Sequence, residues 1–178
     1  DGRVACWGIN GSGRLGNGTT TTAYRPVLAA GIVNATKVSA GVAGTCALLA
    51  DQTVSCWGHP NTLGTGSPAA SSVPVAVPGL TGIIDVSVGR NFACAARSVG
   101  TVACWGLNSR GQLGSGTNTA SLTPVDALGI TNATQVDAGG QHACARLANG
   151  AAQCWGANTS AQLANGTFVD ANSPTAMF

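Results

Sequence analysis

Seven cysteines hold most of the reactive chemistry available to this 178-residue chain. Six fall into three pairs at one spacing: Cys46 with Cys56, Cys94 with Cys104, and Cys144 with Cys154, each ten residues apart. A turn stands midway in every pair, at Asp51-Gln52, Val99-Gly100 and Asn149-Gly150. Asn-Gly is a strong hairpin signal because both residues accept positive φ. Residues equidistant from such a turn face each other on the two strands, within reach of a disulfide. Closing about eleven residues adds roughly 2–3 kcal/mol in the chain-entropy account. The alternative is reduced cysteine used as a small core hydrophobe, which three identical pairings make the weaker choice. A zinc site needs more ligands at shorter spacing, and no histidine accompanies each pair. Cys6 lacks a partner ten residues earlier and is expected to be unpaired or intermolecular.

The remaining candidates for chemistry are few. His59 and His142 are the only histidines, in different parts of the chain, and read as surface or core residues rather than ligands or bases. The acids are Asp1, Asp51, Asp85, Asp126, Asp137 and Asp170, with no Glu. Asp51 belongs to a turn, and Asp85 and Asp137, about one period apart, read as ordinary polar edge positions. Spacing assembles no carboxylate pair, Ser-His-Asp set or metal cluster, so the expectation is a non-enzyme without cofactor or metal. The Gly111–Gly116 stretch lacks the Gly-Lys-Ser/Thr ending of a phosphate loop and leads to no helix. The eight basic residues are scattered, so no stripe for nucleic acid is expected. Charged residues make up only 8% of the chain, which weakens the repulsion that keeps proteins apart and favours self-association. No run of about 18 apolar residues exists, so no membrane-spanning helix is expected. The first residue is Asp rather than Met, which suggests a removed signal peptide or a fragment. Asn10, Asn17, Asn34, Asn132, Asn158 and Asn165 begin glycosylation sequons. They suit a glycosylated surface protein, although a chain rich in Asn, Ser and Thr also makes sequons by chance.

The elements that position these residues repeat. Trp7, Trp57, Trp105 and Trp155 all sit in Cys-Trp-Gly and stand 50, 48 and 50 residues apart. Leu15, Leu113 and Leu163 follow their tryptophans by eight residues, and Leu63 by six, a two-residue deletion. Pro26, Pro74, Pro124 and Pro174 follow the leucines by eleven, and Cys46, Cys94 and Cys144 follow the first three prolines by twenty. Within a period the signals are those of strands. Pro26 opens an extended segment, residues 35–40 alternate, and residues 45–49 form the apolar run of a strand covered on both faces. Four short strands per period of about 50 residues, none able to bury both faces alone, predict propeller blades. The expected organisation is one all-β repeat domain over 1–178. It holds a trailing strand at 1–8, blades at 24–57, 73–106 and 122–156, and the start of an incomplete blade at 172–178. That makes three complete repeats with partial blades at both ends.

Trp105-Gly-Leu-Asn-Ser-Arg-Gly-Gln-Leu-Gly-Ser-Gly-Thr117, then Pro124-Val and Ala138-Gly-Gly-Gln-His142, resembles the regulator of chromosome condensation repeat. The resemblance covers essentially the whole chain. It implies β-propellers, typically seven-bladed, closed by strand exchange and used as binding scaffolds, with both a nuclear exchange factor and secreted inhibitors among the members. The motif departs in Gly13-Arg-Leu-Gly and in Ala161-Gln-Leu-Ala, and His142 aligns with Gly44 and Phe92, so it is not a repeated functional position; with about half the usual blades present, no exchange-factor residue carries over. The paired cysteines point to a secreted branch, extracellular or at the cell surface. Two functions follow. One is an assembly protein whose incomplete terminal blades are completed head-to-tail by identical subunits, in a filament or ring, or by a missing part of the chain. The other is a module that recognises a protein or glycan through the variable segments 58–72, 107–121 and 157–171 on one propeller face.

Overall fold

The computed structural model describes residues 1–177. The chain opens with β1 (Ala5–Gly8) and β2 (Ala23–Leu28). Next come β3 (Ala35–Ala40), β4 (Gly44–Leu49), β5 (Val54–Gly58), the short helix α1 (Pro60–Leu63) and β6 (Ser71–Ala76). The following period gives β7 (Ile83–Val88), β8 (Phe92–Arg97), β9 (Val102–Gly106) and β10 (Ser121–Asp126). The last gives β11 (Ala133–Ala138), β12 (His142–Leu147), β13 (Ala152–Gly156) and β14 (Ala171–Ala176). These form three four-stranded antiparallel sheets, β3-β4-β5-β6, β7-β8-β9-β10 and β11-β12-β13-β14, and a two-stranded sheet β1-β2.

The all-β repeat architecture is as expected, but the sheets are phased differently from the ranges 24–57, 73–106 and 122–156. Each proline-bearing strand closes the sheet begun before it: Val75 pairs with Cys56, Val125 with Cys104 and Thr175 with Cys154. Proline lacks an N–H, and it is tolerated both at the start of a strand and on an outer edge. The residue type alone therefore does not choose between opening and closing a sheet. By the same pairing residues 1–8 are not a lone trailing strand, because Cys6 pairs with Val27 of β2. Residues 171–176 finish the third full sheet instead of starting another, and Phe178 lies outside the described residues. In units of the sequence repeat both ends are partial. In units of sheets, among the described residues, only the N-terminal one has fewer than four strands.

The core lies between sheets, which is why both strand faces are apolar. One cluster joins Cys46, Cys56 and Leu63 to Val86, Ala93 and Trp105 of the next sheet. A second joins Phe92, Cys94 and Leu113 to Val136, Ala143 and Trp155. A smaller one joins Val4 and Ile32 to Ala47 and Trp57. Each large side chain buried in this way contributes roughly 1.5–3 kcal/mol. The first strands, β3, β7 and β11, lie side by side. The N–H groups on their free inner edge have no ladder partner, and unpaired buried backbone donors are costly. Side chains of the preceding sheet meet them. Val88 N donates to Ser39 Oγ at 3.0 Å, Ala138 N to Ser87 Oγ at 3.0 Å, and Val136 N to the Asp85 carboxylate at 3.0 Å.

Candidate functional site

Each Cys-Trp-Gly strand ends on a glycine that redirects the chain. Gly106 has φ +111°, a conformation that L side chains rarely adopt, and a Cβ there would press on Asn91 O and Phe92 Cα of the neighbouring strand. Two residues later an asparagine organises the loop. Asn108 Oδ1 accepts from Leu113 N at 2.8 Å, while its Nδ2 donates to the carbonyls of Thr117 and Thr119, both at 2.9 Å. Asn10 and Asn158 make the same bonds to Leu15 N and Leu163 N. The loop so shaped reaches the next sheet, where Trp155 Nε1 donates to Gln112 O at 2.8 Å and Trp105 Nε1 to Thr62 O at 3.0 Å. In the second copy the two-residue deletion removes the asparagine. Helix α1 replaces it, capped by His59, whose Nδ1 accepts from Asn61 N at 3.2 Å. These loops leave the same end of β1, β5, β9 and β13. Sequence reading missed the asparagines as organisers, although the recurring Trp-Gly-X-Asn was a usable signal.

The asparagines bear directly on the sequons. Asn10 and Asn158 are fully buried with Nδ2 engaged, so the folded chain offers no glycan acceptor at either. Asn165 accepts from Thr167 within the same loop, and Asn17 likewise from Thr19. Asn34 and Asn132 are exposed.

Cys46–Cys56, Cys94–Cys104 and Cys144–Cys154 are disulfides, each between directly paired residues of the second and third strands with Cα atoms 4.0–4.1 Å apart. Three such bonds fit an oxidising environment. Cys6 is free, and burial pushes its thiol above the ordinary value.

The aspartates are all engaged in ion pairs or hydrogen bonds. Asp1 pairs with Arg3, Asp126 with Arg97, Asp170 with Arg110, and Asp85 with Lys37 at 2.5 Å. Asp51 holds its own turn by accepting from the Thr53 hydroxyl and N–H, which lowers its carboxyl below the ordinary range. Asp137 accepts from Ser87 Oγ at 3.0 Å. Asp85 and Asp137 are not equivalent positions: Asp85 matches Lys37 and Gln135, whereas Asp137 matches Ser39 and Ser87. They join neighbouring sheets rather than decorating an edge. His142 lies on β12 against Gly139. Among the described residues no three His, Cys or Asp side chains gather as a metal site, and no helix is long and apolar enough to cross a membrane.

What remains open is the inner edge of β1. Among the described residues β1 pairs with β2 alone, on the side away from this edge. Trp7 is 64% exposed, whereas Trp57, Trp105 and Trp155 are fully buried, each against the loop of the sheet before it. A cavity of about 310 Å³ adjoins the edge, lined by Ala5, Cys6, Trp7, Val38, Ala40 and Thr45 among others. A second of about 210 Å³, against Arg3, Ala35 and Lys37, continues along the same edge.

The sequence model of the regulator of chromosome condensation (RCC1) repeat matches residues 1–48 and 100–146, and a second model of that repeat matches 83–112 and 133–162. No curated protein matches the sequence. Among solved structures, human WBSCR16 superposes with a TM-score of 0.87 at 22% identity, over 99% of this chain and 48% of its own. Yeast RCC1 (Prp20), crystallised with Kap60, gives 0.85 at 19% identity, over 99% of this chain and 45% of its own. At such identities the likeness establishes the propeller fold. The chain spans about half the length of these proteins.

Proposed function

This chain belongs to the regulator of chromosome condensation repeat family, and on that premise we propose that it is a non-enzymatic, secreted protein-binding scaffold whose half-sheet is completed by strands from outside residues 1–178. The open inner edge of β1 carries this reading. A cavity lined by Cys6, Val38 and Ala40 adjoins that edge. The disulfides support an extracellular or cell-surface location. Two features weigh against head-to-tail joining of identical subunits in the repeat geometry. The last sheet carries His142 and Arg146 where the preceding sheet has Phe92 and Ala96. Its loop carries Ala161 and Ala164 where Gly111 and Gly114 sit, and a Cβ on either glycine would press on the following sheet. The test is titration of a synthetic peptide with the sequence of residues 35–49, carrying Cys46→Ser, into the chain. Protection of the Cys6 thiol from alkylation supports completion; alkylation unchanged at millimolar peptide overturns it.

A second reading, recognition of a protein or glycan by the loop face, is favoured by Phe168 and Val169, which are 72% and 71% exposed. The corresponding positions in the first copy are Thr20 and Thr21. Array binding that disappears in Phe168→Ser supports this reading, and array binding that Phe168→Ser leaves intact removes it.

A further inference from the structure

We propose that the outer rim of the propeller is closed to strand addition, by a second copy of this chain or by an extended segment of a partner, through a plug built into its outer strands. The plug has three parts. A proline stands where the backbone N–H would point outward, a loop of the preceding sheet takes an edge carbonyl, and a serine hydroxyl occupies backbone groups beside a bulge. This rim lies across each sheet from the inner edge and does not depend on what fills the space beside β1.

Among the described residues β6, β10 and β14 each have one unpaired edge, and so does β2. Such edges are templates for further pairing, and proteins guard them with lysine, proline, bulges or a covering loop. Lysine and arginine are absent from β6, β10 and β14, where Asp126 is the only charged residue. Charge therefore does not guard these edges, in a chain whose 8% of charged residues offers little repulsion.

The register shows what does. Val77 N donates to Val54 O and Ala127 N to Val102 O, both at 2.9 Å. Val75 stands opposite Cys56 and Val125 opposite Cys104. Strand alternation then turns the N–H groups of residues 75 and 77, and of 125 and 127, toward the sheet. Residues 74 and 124 face away from it, and both are proline. Pro26 and Pro174 hold the same place, just before Val27 opposite Cys6 and Thr175 opposite Cys154. An N–H at these positions would make no bond within the sheet, so proline removes only an outward donor. Of residues 74–76, Ala76 alone keeps an outward N–H.

The other two parts cover the first half of the strand. Gly18 N donates to Ser72 O at 2.9 Å, Gly66 N to Leu122 O at 2.9 Å and Gly116 N to Asn172 O at 2.7 Å. The long loop of the sheet before thus takes an edge carbonyl in all three four-stranded sheets. Ser71 Oγ donates to Val73 O at 2.6 Å and accepts from Val73 N at 3.3 Å, and Ser121 does the same for Thr123. These bonds fall where the register shifts, and a bulge further disrupts any regular ladder. The third sheet has Ala171 in place of the serine. There Asn172 Nδ2 donates to Gly116 O at 3.0 Å, tying loop to edge a second time.

The experiment compares the 178-residue chain with its Pro74→Val variant by sedimentation equilibrium over a concentration series, with the disulfides intact. Valine suits a strand and returns the outward N–H without disturbing a bond inside the sheet. Two rims joined edge to edge gain one such bond from each chain, so the concentration for half association should fall about tenfold or more below that of wild type. Hydrogen exchange over residues 71–76 should slow in the associated species. Adding Ala76→Lys, at an exposed position, should restore the wild-type mass without changing the urea midpoint, because a charge on the edge guards it in another way. Pro124→Val, with exchange followed over residues 121–126, is read in the same manner if Pro74→Val does not fold. A folded variant that associates no more than wild type overturns the proposal. So does association that leaves exchange over the outer strand unchanged, or that survives Ala76→Lys, since either result puts the contact elsewhere.

Discussion

Replacing Asn108 by alanine tests whether one buried amide holds the long loops in shape. Asn108 is fully buried, with three hydrogen bonds of 2.8–2.9 Å to the backbone of its own loop. Asn108→Ala removes all three and leaves one N–H and two carbonyls to find new partners. At roughly 1 kcal/mol net for each bond, the loss comes to about 3 kcal/mol. For a chain of this size that lowers Tm by about 6–12 °C. The loop also carries Leu113 and Gln112, which pack on and accept from Trp155 of the next sheet, so Trp155 emission should shift to the red. Asn108→Asp keeps the acceptor but turns a negative oxygen toward the two carbonyls, so its loss should be at least as large. Asn118→Ala, at an exposed position of the same loop, is the control and should stay within about 0.5 kcal/mol of wild type. Urea unfolding under non-reducing conditions measures all four proteins. Equal midpoints for Asn108→Ala and Asn118→Ala refute the argument, because the loop would then be held by packing alone.

Replacing Cys94 and Cys104 together by Ser releases the middle hairpin and should cost about 3 kcal/mol, read by denaturant unfolding with the other two disulfides intact. Ala164 has φ +47° where other copies use glycine, so Ala164→Gly should raise stability by about 1 kcal/mol in the same assay. The N–H of Asn158, with Arg110, holds the Asp170 carboxyl below its ordinary value against the opposing effect of burial. A carboxyl lowered in the folded state adds stability that is full above the unfolded pKa of about 3.9 and drains as pH falls through the folded value. The difference in urea midpoint between wild type and Asp170→Asn should therefore shrink below about pH 4, and a gap unchanged down to the folded value would contradict this. In a glycosylating host, glycopeptide mapping of the folded, secreted chain should find no glycan on Asn10 or Asn158.

The strands, the hairpin pairing of the cysteines and the spacing of Trp and Leu anchors were legible in the sequence. They are local: a turn residue midway between two cysteines sets their register, and a tryptophan recurring about every 50 residues marks a repeated packing site. The phase of the sheets was not legible, because proline satisfies an opening strand and an outer edge equally well. Pairing between Cys56 and Val75, across a loop of changing length, selects the outer edge. Sequons look alike in sequence. Burial of the Asn10 and Asn158 amides separates them from Asn34 and Asn132, since only folding turns those amides onto their own loops. The bonds from Ser39, Asp85 and Ser87 to the next sheet connect residues about 50 apart and depend on how the sheets pack. The same holds for Cys6. Its sequence marks a cysteine without a partner ten residues before it. Only the tertiary structure shows that Cys6 pairs with Val27 on one side and faces a cavity on the other, because an edge is defined by which strands pair.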